Sequence, residues 1–289
     1  MTRRAWTQLI TVSALWGAVY PLIEVALRDF SPTVIVFGRV ALAALMLTPL
    51  AIKRDALRPL WRRPRAIIET VLVQSTVPLL LLTFGQQYVS AGLAGILVGA
   101  QPLFVALLAI KYAPDQRPHG WKGGLGILIG LVGLIMLFGE DLVGHTAVIG
   151  GVLILGAALC YAAGTIMIFR RHADAQPLGV ATSAMLVTTA AVLVPASLAL
   201  PAHPPSLAAT TSLVVLGLAC TGATLAVFYT LIATAGPARA ALAFYLSPAF
   251  AIALSAVLLG QWPSTVALLG LVAVVAGSVL AAQTSDRRQ

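Results

Sequence analysis

Charge is scarce in this chain. Only 9% of its 289 residues are Asp, Glu, Lys or Arg, while 60% are hydrophobic. Soluble domains carry about 25% charged residues, so a water-soluble globule is excluded and an integral membrane protein is implied. Acidic groups are the scarcest, 9 against 18 basic. The net charge of +9 could fit nucleic acid. The basic residues, however, form no patch that so apolar a chain could present in water, so membrane lipid is the expected partner and nucleic acid is not. Cysteine is nearly absent. Cys160 and Cys220 both fall in apolar runs, which excludes a disulfide framework and leaves buried packing thiols. The four histidines, His119, His145, His172 and His203, lie apart in loops. There is no His-Glu-x-x-His, no Gly-x-Ser-x-Gly and no Asp/His cluster. Metal or nucleophile chemistry needs such groups together, so no metal, cofactor or catalytic residue is expected.

What the chain has is long apolar runs. A helix needs about 20 apolar residues to cross the hydrocarbon. Ten runs qualify, at 6–27, 32–52, 66–88, 91–112, 121–139, 147–169, 177–200, 207–234, 237–259 and 264–283. The first starts like a signal peptide, but it is long enough to span and lacks a small-residue cleavage site, so it reads as a retained helix. Loops and ends then alternate between two sides. One side carries both termini, Arg3, Arg4, the 53–65 cluster (Lys53, Arg54, Arg58, Arg62, Arg63, Arg65), Lys111, Arg117, Lys122, Arg170, Arg171, Arg239, Arg287 and Arg288. The other carries Arg28 alone. The positive-inside rule makes the basic side, and both termini, cytoplasmic. Trp6, Trp61, Trp121 and Trp262 lie near run ends, where aromatic rings anchor at the interface.

The runs repeat. Trp16-Gly17 matches Tyr161-Ala162, and Pro32 matches Pro177, each 145 residues apart. "GAQPLFVALLA" at 99–109 matches "YLSPAFAIALS" at 245–255, with Pro102 on Pro248 at an offset of 146. Glycine-studded runs, "GILIGLVGLIML" and "GLVAVVAGSVLA", close each half. The expected fold is therefore all-α: ten transmembrane helices in two five-helix repeats, residues 1–140 and 141–289. Five is odd, so the second copy crosses in the opposite direction, an inverted-topology repeat. Pro78, Pro102 and Pro248 all fall near mid-span, where a proline removes a backbone hydrogen bond that hydrocarbon cannot replace. Paired interruptions point to a transporter's substrate site. The other reading is that these prolines only bend helices to fit their neighbours.

The polar residues define a candidate cavity. Trp16 and Tyr20 are i,i+4 and share one helix face, as do Gln74 and Pro78. Tyr161 is the repeat mate of Trp16, and Tyr245 and Ser247 are the mates of Gly99 and Gln101. These nine residues are the candidate substrate contacts, with ordinary helix packing as the alternative for any one of them. Thr221 and Gly222, mid-span in the eighth run, are further neutral candidates for the cavity. Glu24 lies near the outer interface and Arg39 about two turns into the second run. They are read either as a structural pair, with Arg39 also able to snorkel to headgroups, or with Arg39 on a substrate carboxylate. Glu69, beside the basic loop, reads as solvated. No carboxylate falls near the midplane, which disfavours a central proton-exchanging Glu and leaves a largely neutral cavity suited to neutral or zwitterionic solutes.

The "LWGAVYP" of the first run, the Arg of the second, the mid-helix "QP" and "SP" and the glycine-rich closing helices together resemble the drug/metabolite transporter superfamily, EamA type, over the whole chain. Within it the chain is similar to bacterial amino-acid and metabolite exporters, including the aromatic amino-acid branch. Many members carry Leu-Gly-Glu after the fourth and ninth spans; here the second copy reads Leu259-Gly260-Gln261 and "APDQRP" replaces the first. The resemblance implies a monomeric inner-membrane carrier that exports amino acids, apolar, aromatic and other neutral zwitterions, and related metabolites by alternating access through a midplane cavity. Export of other small organic solutes or drugs is the alternative. A channel or a membrane-embedded enzyme is less favoured.

Overall fold

The computed structural model describes residues 2–113, 120–140, 145–236 and 240–283. The basic residues Arg117, Arg239, Arg287 and Arg288, and His119, lie outside them. Among the described residues there are helices and no strands. Eight helices among the described residues are long and apolar enough to cross a membrane. They are α1 (Arg3–Ala26), α2 (Pro32–Lys53), α3 (Pro64–Gly85), α4 (Ala91–Tyr112), α6 (His145–Arg171), α7 (Pro177–Ser197), α8 (Leu207–Ile232) and α9 (Leu242–Leu259). Two further helices, α5 (Gly120–Glu140) and α10 (Thr265–Gln283), carry shorter described apolar stretches, Trp121–Met136 and Thr265–Ala281. The basic 53–65 loop forms a short helix, Arg58–Trp61.

Local chemistry sets the helix starts. Pro32, Pro64 and Pro177 each open a helix at its first position, where a missing N–H costs nothing. Ser206 and Ser264 cap α8 and α10, accepting from Ala209 N at 3.2 Å and Ala267 N at 3.0 Å. Such caps satisfy donors that the helix leaves orphaned.

Packing pairs α1 with α8 and α9, α2 with α7, α3 with α6, α4 with α6 and α9, and α5 with α10. Small residues permit the closest approaches, as they do generally between membrane helices. A Cβ at Gly126 would stand 2.6 Å from the Gly277 carbonyl, and one at Gly133 2.7 Å from the Gly270 carbonyl, so α5 and α10 touch backbone to backbone.

The helix interruptions differ in part from the expectation. In α3 the backbone widens into a π turn at Leu72–Thr76, where Val77 N–H reaches the Leu72 carbonyl. This turn absorbs Pro78, which lacks the N–H that an α-helix would use one turn back. In α4 the chain turns tightly at Gly99-Ala100, with Ala100 N–H on the Leu97 carbonyl at 3.1 Å, and restarts at Gln101 with Pro102 in its first turn. Pro248, expected as a break, is not one: α9 runs through it from Leu242 to Leu259. The carbonyl that Pro248 frees, Phe244 O, accepts instead from Ser247 Oγ at 3.4 Å. The unforeseen interruption is a second π turn, Leu218–Ala223 in α8. No proline marks it. Threonine hydroxyls do: Thr221 Oγ1 and Thr224 Oγ1 each donate at 2.7 Å to carbonyls five residues back, Leu216 and Ala219. The two π turns start at Leu72 and Leu218, again 146 residues apart.

Candidate substrate cavity

The π turns face one cavity. It has a volume of about 280 Å³, close to the ~300 Å³ at which small-molecule sites begin. The α3 turn contributes Gln74 and Ser75, and the α8 turn contributes Cys220 and Thr221. A π turn widens the ladder and pushes one residue out of register, so polar groups that would otherwise face a neighbouring helix reach a cavity.

Of the nine residues expected there, Trp16, Tyr20, Gln74, Gln101, Tyr161 and Ser247 line the cavity, and Arg39 joins them. Pro78, Gly99 and Tyr245 do not. Pro78 is buried one turn beyond Gln74. Gly99 packs on the proline of the facing helix, where an added Cβ would stand 2.9 Å from Pro248 Cγ. Tyr245 is half-buried on α9, outside the lining.

On α8 the sequence singles out Thr221 and Gly222, of which Thr221 lines the cavity, but not the apolar and aromatic residues beyond them. Thr221, Leu225, Phe228 and Tyr229 line the cavity together. Their i, i+4, i+7, i+8 spacing is one helical face, a signal legible once the polar end of that face is known. Phe244 of α9 completes an aromatic wall. Trp16 stacks on Phe244 with centroids 5.0 Å apart and meets Phe228 at 4.8 Å, and Phe228 meets Phe244 edge-on at 5.7 Å. Such pairs add about 0.5–1.5 kcal/mol beyond burial and hold a rigid apolar surface.

Arg39 is 8% exposed. Its Nε donates to Thr221 Oγ1 at 2.7 Å, while Nη1 has no hydrogen-bond partner. Among the described residues, no Asp or Glu lines the cavity. The expected Glu24–Arg39 pair does not form. Glu24 instead accepts from Gln261 Nε2 at 2.5 Å and from Ala91 N–H, the start of α4, at 3.0 Å. A helix N-terminus favours a carboxylate, and Glu24, in the last turn of α1, reaches this one. Glu69, expected to be solvated, is half-exposed and bridges Arg65 and Arg171 at 3.6 and 3.0 Å.

The cavity is closed toward the face where α1 ends and α4 begins. Gly17 lies against Phe250, and Gly95 against Ala251, so tightly that an added Cβ would stand 2.5 Å from each Cβ. Gln86 Nε2 donates to the Tyr20 carbonyl at 2.9 Å, and the Glu24–Gln261–Ala91 cluster seals the rim. The lining continues the other way, through Thr165 and Ile168 of α6 and Val180 and Ala181 of α7, toward the end that bears Arg170 and Arg171.

An apolar-walled cavity with a few convergent polar groups, inside a bundle of membrane-length helices, is the geometry of a solute path. The model of the EamA-like transporter family matches the sequence twice, over residues 5–139 and 148–283. The chain belongs to that family. It is a multi-pass membrane transporter of the drug/metabolite superfamily. An uncharacterized inner membrane transporter of Escherichia coli K12, YedA, is 28% identical to it over 286 residues, 94% of this chain and 88% of that one. A probable terminal-alkyne amino-acid exporter of Streptantibioticus cattleyicolor is 27% identical over 290 residues, 97% of this chain and 93% of the other. A crystal structure described only as that of a protein superposes with a TM-score of 0.70 at 18% identity, over 98% of this EamA-like transporter and 99% of that chain. That likeness concerns the fold alone.

Proposed function

We propose that this transporter exports amino acids and related small organic solutes by alternating access through the cavity. The observation that carries the reading is the cavity wall. It combines a rigid aromatic surface, Trp16–Phe228–Phe244, with hydroxyl and amide groups, and it draws on both stretches that the family model matches. An aromatic wall takes an apolar side chain, and neutral donors and acceptors meet the polar end. The printed name of the Streptantibioticus relative, an amino-acid exporter, supports the same solute class.

The chain reads as ten spans in two inverted repeats, 1–140 and 141–289. Exchanging each helix for the one five later supports this. The exchange turns α1–α9 into α6–α4 and α3–α6 into α8–α1, and it maps α2–α7, α4–α9 and α5–α10 onto themselves, all of them observed contacts. The matched π turns add to it. With the basic face cytoplasmic, the transporter sits in a bacterial inner membrane with both termini in the cytoplasm, and the cavity opens to that side, the loading side for an exporter. The working unit we propose is a monomer.

Flux into proteoliposomes tests the function. Saturable movement of phenylalanine, leucine or similar amino acids, above protein-free vesicles, is expected. Flux linear in concentration would indicate a channel, and no flux across an amino-acid panel would sink the reading. Orientation has a separate test. A cysteine replacing Thr2, with Cys160 and Cys220 changed to Ser, should escape an impermeant thiol reagent in intact cells.

A further inference from the structure

Arg39 is the one cavity-lining side chain, among the described residues, that carries a permanent charge. It is more than nine-tenths buried, and nothing acidic faces it. The other titratable groups in the lining are Tyr20, Tyr161, Tyr229 and Cys220, none of which is an anion in its ordinary state at neutral pH. A buried cation without a counter-ion is costly, and its cost falls when an anion arrives. Guanidinium presents its donors in a fork that fits a carboxylate. Here Thr221 holds the group through Nε at 2.7 Å and leaves Nη1 without a partner.

The charge is also one-sided. The 145–146 offset places Ala184 and Met185 of α7 opposite Arg39 of α2, and both line the cavity. The α3 π turn, the repeat mate of the one that holds Thr221, meets α7 through neutral hydroxyls only: Thr188 Oγ1 donates to Ser75 Oγ at 3.3 Å and pairs with Thr76 at 2.9 Å. A solute bound here therefore has one anionic end, directed to α2 and α8. The aromatic wall lies along α8 from that point. Phe228 is seven residues past Thr221 on the same face, ~10 Å along the helix, so one small solute can touch both. An amino group finds no comparable partner. Its neighbours would be the tyrosine hydroxyls and Gln74 Oε1, and Arg39 would repel it.

We infer that Arg39 is a carboxylate anchor, and that the cavity selects apolar monocarboxylates whether or not they bear an amino group. This rests on the reading of the cavity as the substrate site. The carboxylate is the required group and the ammonium is tolerated.

Three probes separate the possibilities in proteoliposomes at neutral pH: phenylalanine, 3-phenylpropanoate and phenylalaninamide, each read against protein-free vesicles. The first two should be carried and should compete with each other, with 3-phenylpropanoate at the lower KM. The amide, which keeps the ammonium and loses the carboxylate, should neither be carried nor compete. Arg39→Gln should raise KM for both acids by roughly 10–100-fold, the value of a charge-assisted hydrogen bond, and Arg39→Lys should recover part of it. If Arg39→Gln does not fold, the wild-type comparison of acid and amide decides alone. Equal transport of amide and acid would overturn the anchor and leave amino-acid export standing. Flux of 3-phenylpropanoate without flux of phenylalanine would keep the anchor and remove the amino-acid reading. Flux of neither acid would remove both.

Discussion

Gln261 donates from Nε2 to Glu24 Oε1 at 2.5 Å, across 237 residues of sequence. The contact ties the end of α1 to the segment after α9, and Ala91 N–H, at the start of α4, binds the other carboxylate oxygen at 3.0 Å. It belongs to the closed rim rather than to the solute path. Glu24→Gln should therefore keep its maximal amino-acid flux in proteoliposomes without a pH gradient. Glu24→Ala, which breaks both contacts, should speed impermeant labelling of a cysteine placed at Leu93, and absolute dependence of flux on Glu24 and on a pH gradient would refute the assignment.

Thr221 accepts from Arg39 and closes the α8 π turn onto Leu216 in the same hydroxyl. Thr221→Val should leave a buried guanidinium nitrogen unpaired, at a cost of about 1–3 kcal/mol. Thr221→Ser should cost much less. Thermal unfolding in detergent compares the two, and equal midpoints would argue against the contact.

Gly17 meets Phe250 where a Cβ would stand 2.5 Å away, whereas Gly124 has nothing within 4 Å. Gly17→Ala should force α1 from α9 and destabilise the protein by about 1–3 kcal/mol, the usual cost of overpacking. Gly124→Ala should be neutral or slightly stabilising. The ratio of folded yields, by size exclusion in detergent, reads the difference.

Trp16 is the ring of the aromatic wall that α1 supplies, in contact with both others, and Gln101 supplies a polar group beside the α4 turn. Trp16→Ala should weaken transport of bulky amino acids most, through apolar contact worth roughly 1–3 kcal/mol. Gln101→Leu should lower transport of small and large amino acids alike. Wild-type rates for both variants across a panel would refute these roles.

Asp29, in the loop between α1 and α2, accepts from both the hydroxyl and the backbone N–H of Ser206. The Ser206 hydroxyl, then its N–H, hold the carboxyl below its ordinary value of 3.8. A lowered folded-state value favours the folded state above the ordinary value and loses that advantage as pH falls through the lower one. Asp29→Asn should thus be less stable than wild type at pH 7, and the gap in unfolding midpoint should close as pH drops below about 3.8. A gap that is constant with pH would show that ionisation is not involved.

The sequence by itself determined the membrane setting, the positions of the long helices and which residues recur at an offset of 145–146. Hydropathy over twenty residues and the matching of prolines are local properties, and local properties survive without coordinates. Trp16, Tyr20, Gln74, Gln101, Tyr161 and Ser247 could be collected around one point because repeat register and helical period together fix which faces meet. Partner choice was decided only by tertiary structure. Glu24 and Arg39 are charges of opposite sign on neighbouring helices, yet Glu24 stands in the last turn of α1 and is taken by Ala91 and Gln261, while Arg39 lies deeper in α2 and is taken by Thr221. Pro248 reads like Pro102, yet Ser247 meets the freed carbonyl and α9 stays whole. The α8 π turn has no proline to announce it; threonine hydroxyls reach back five residues there, and one of them also accepts from Arg39 of another helix.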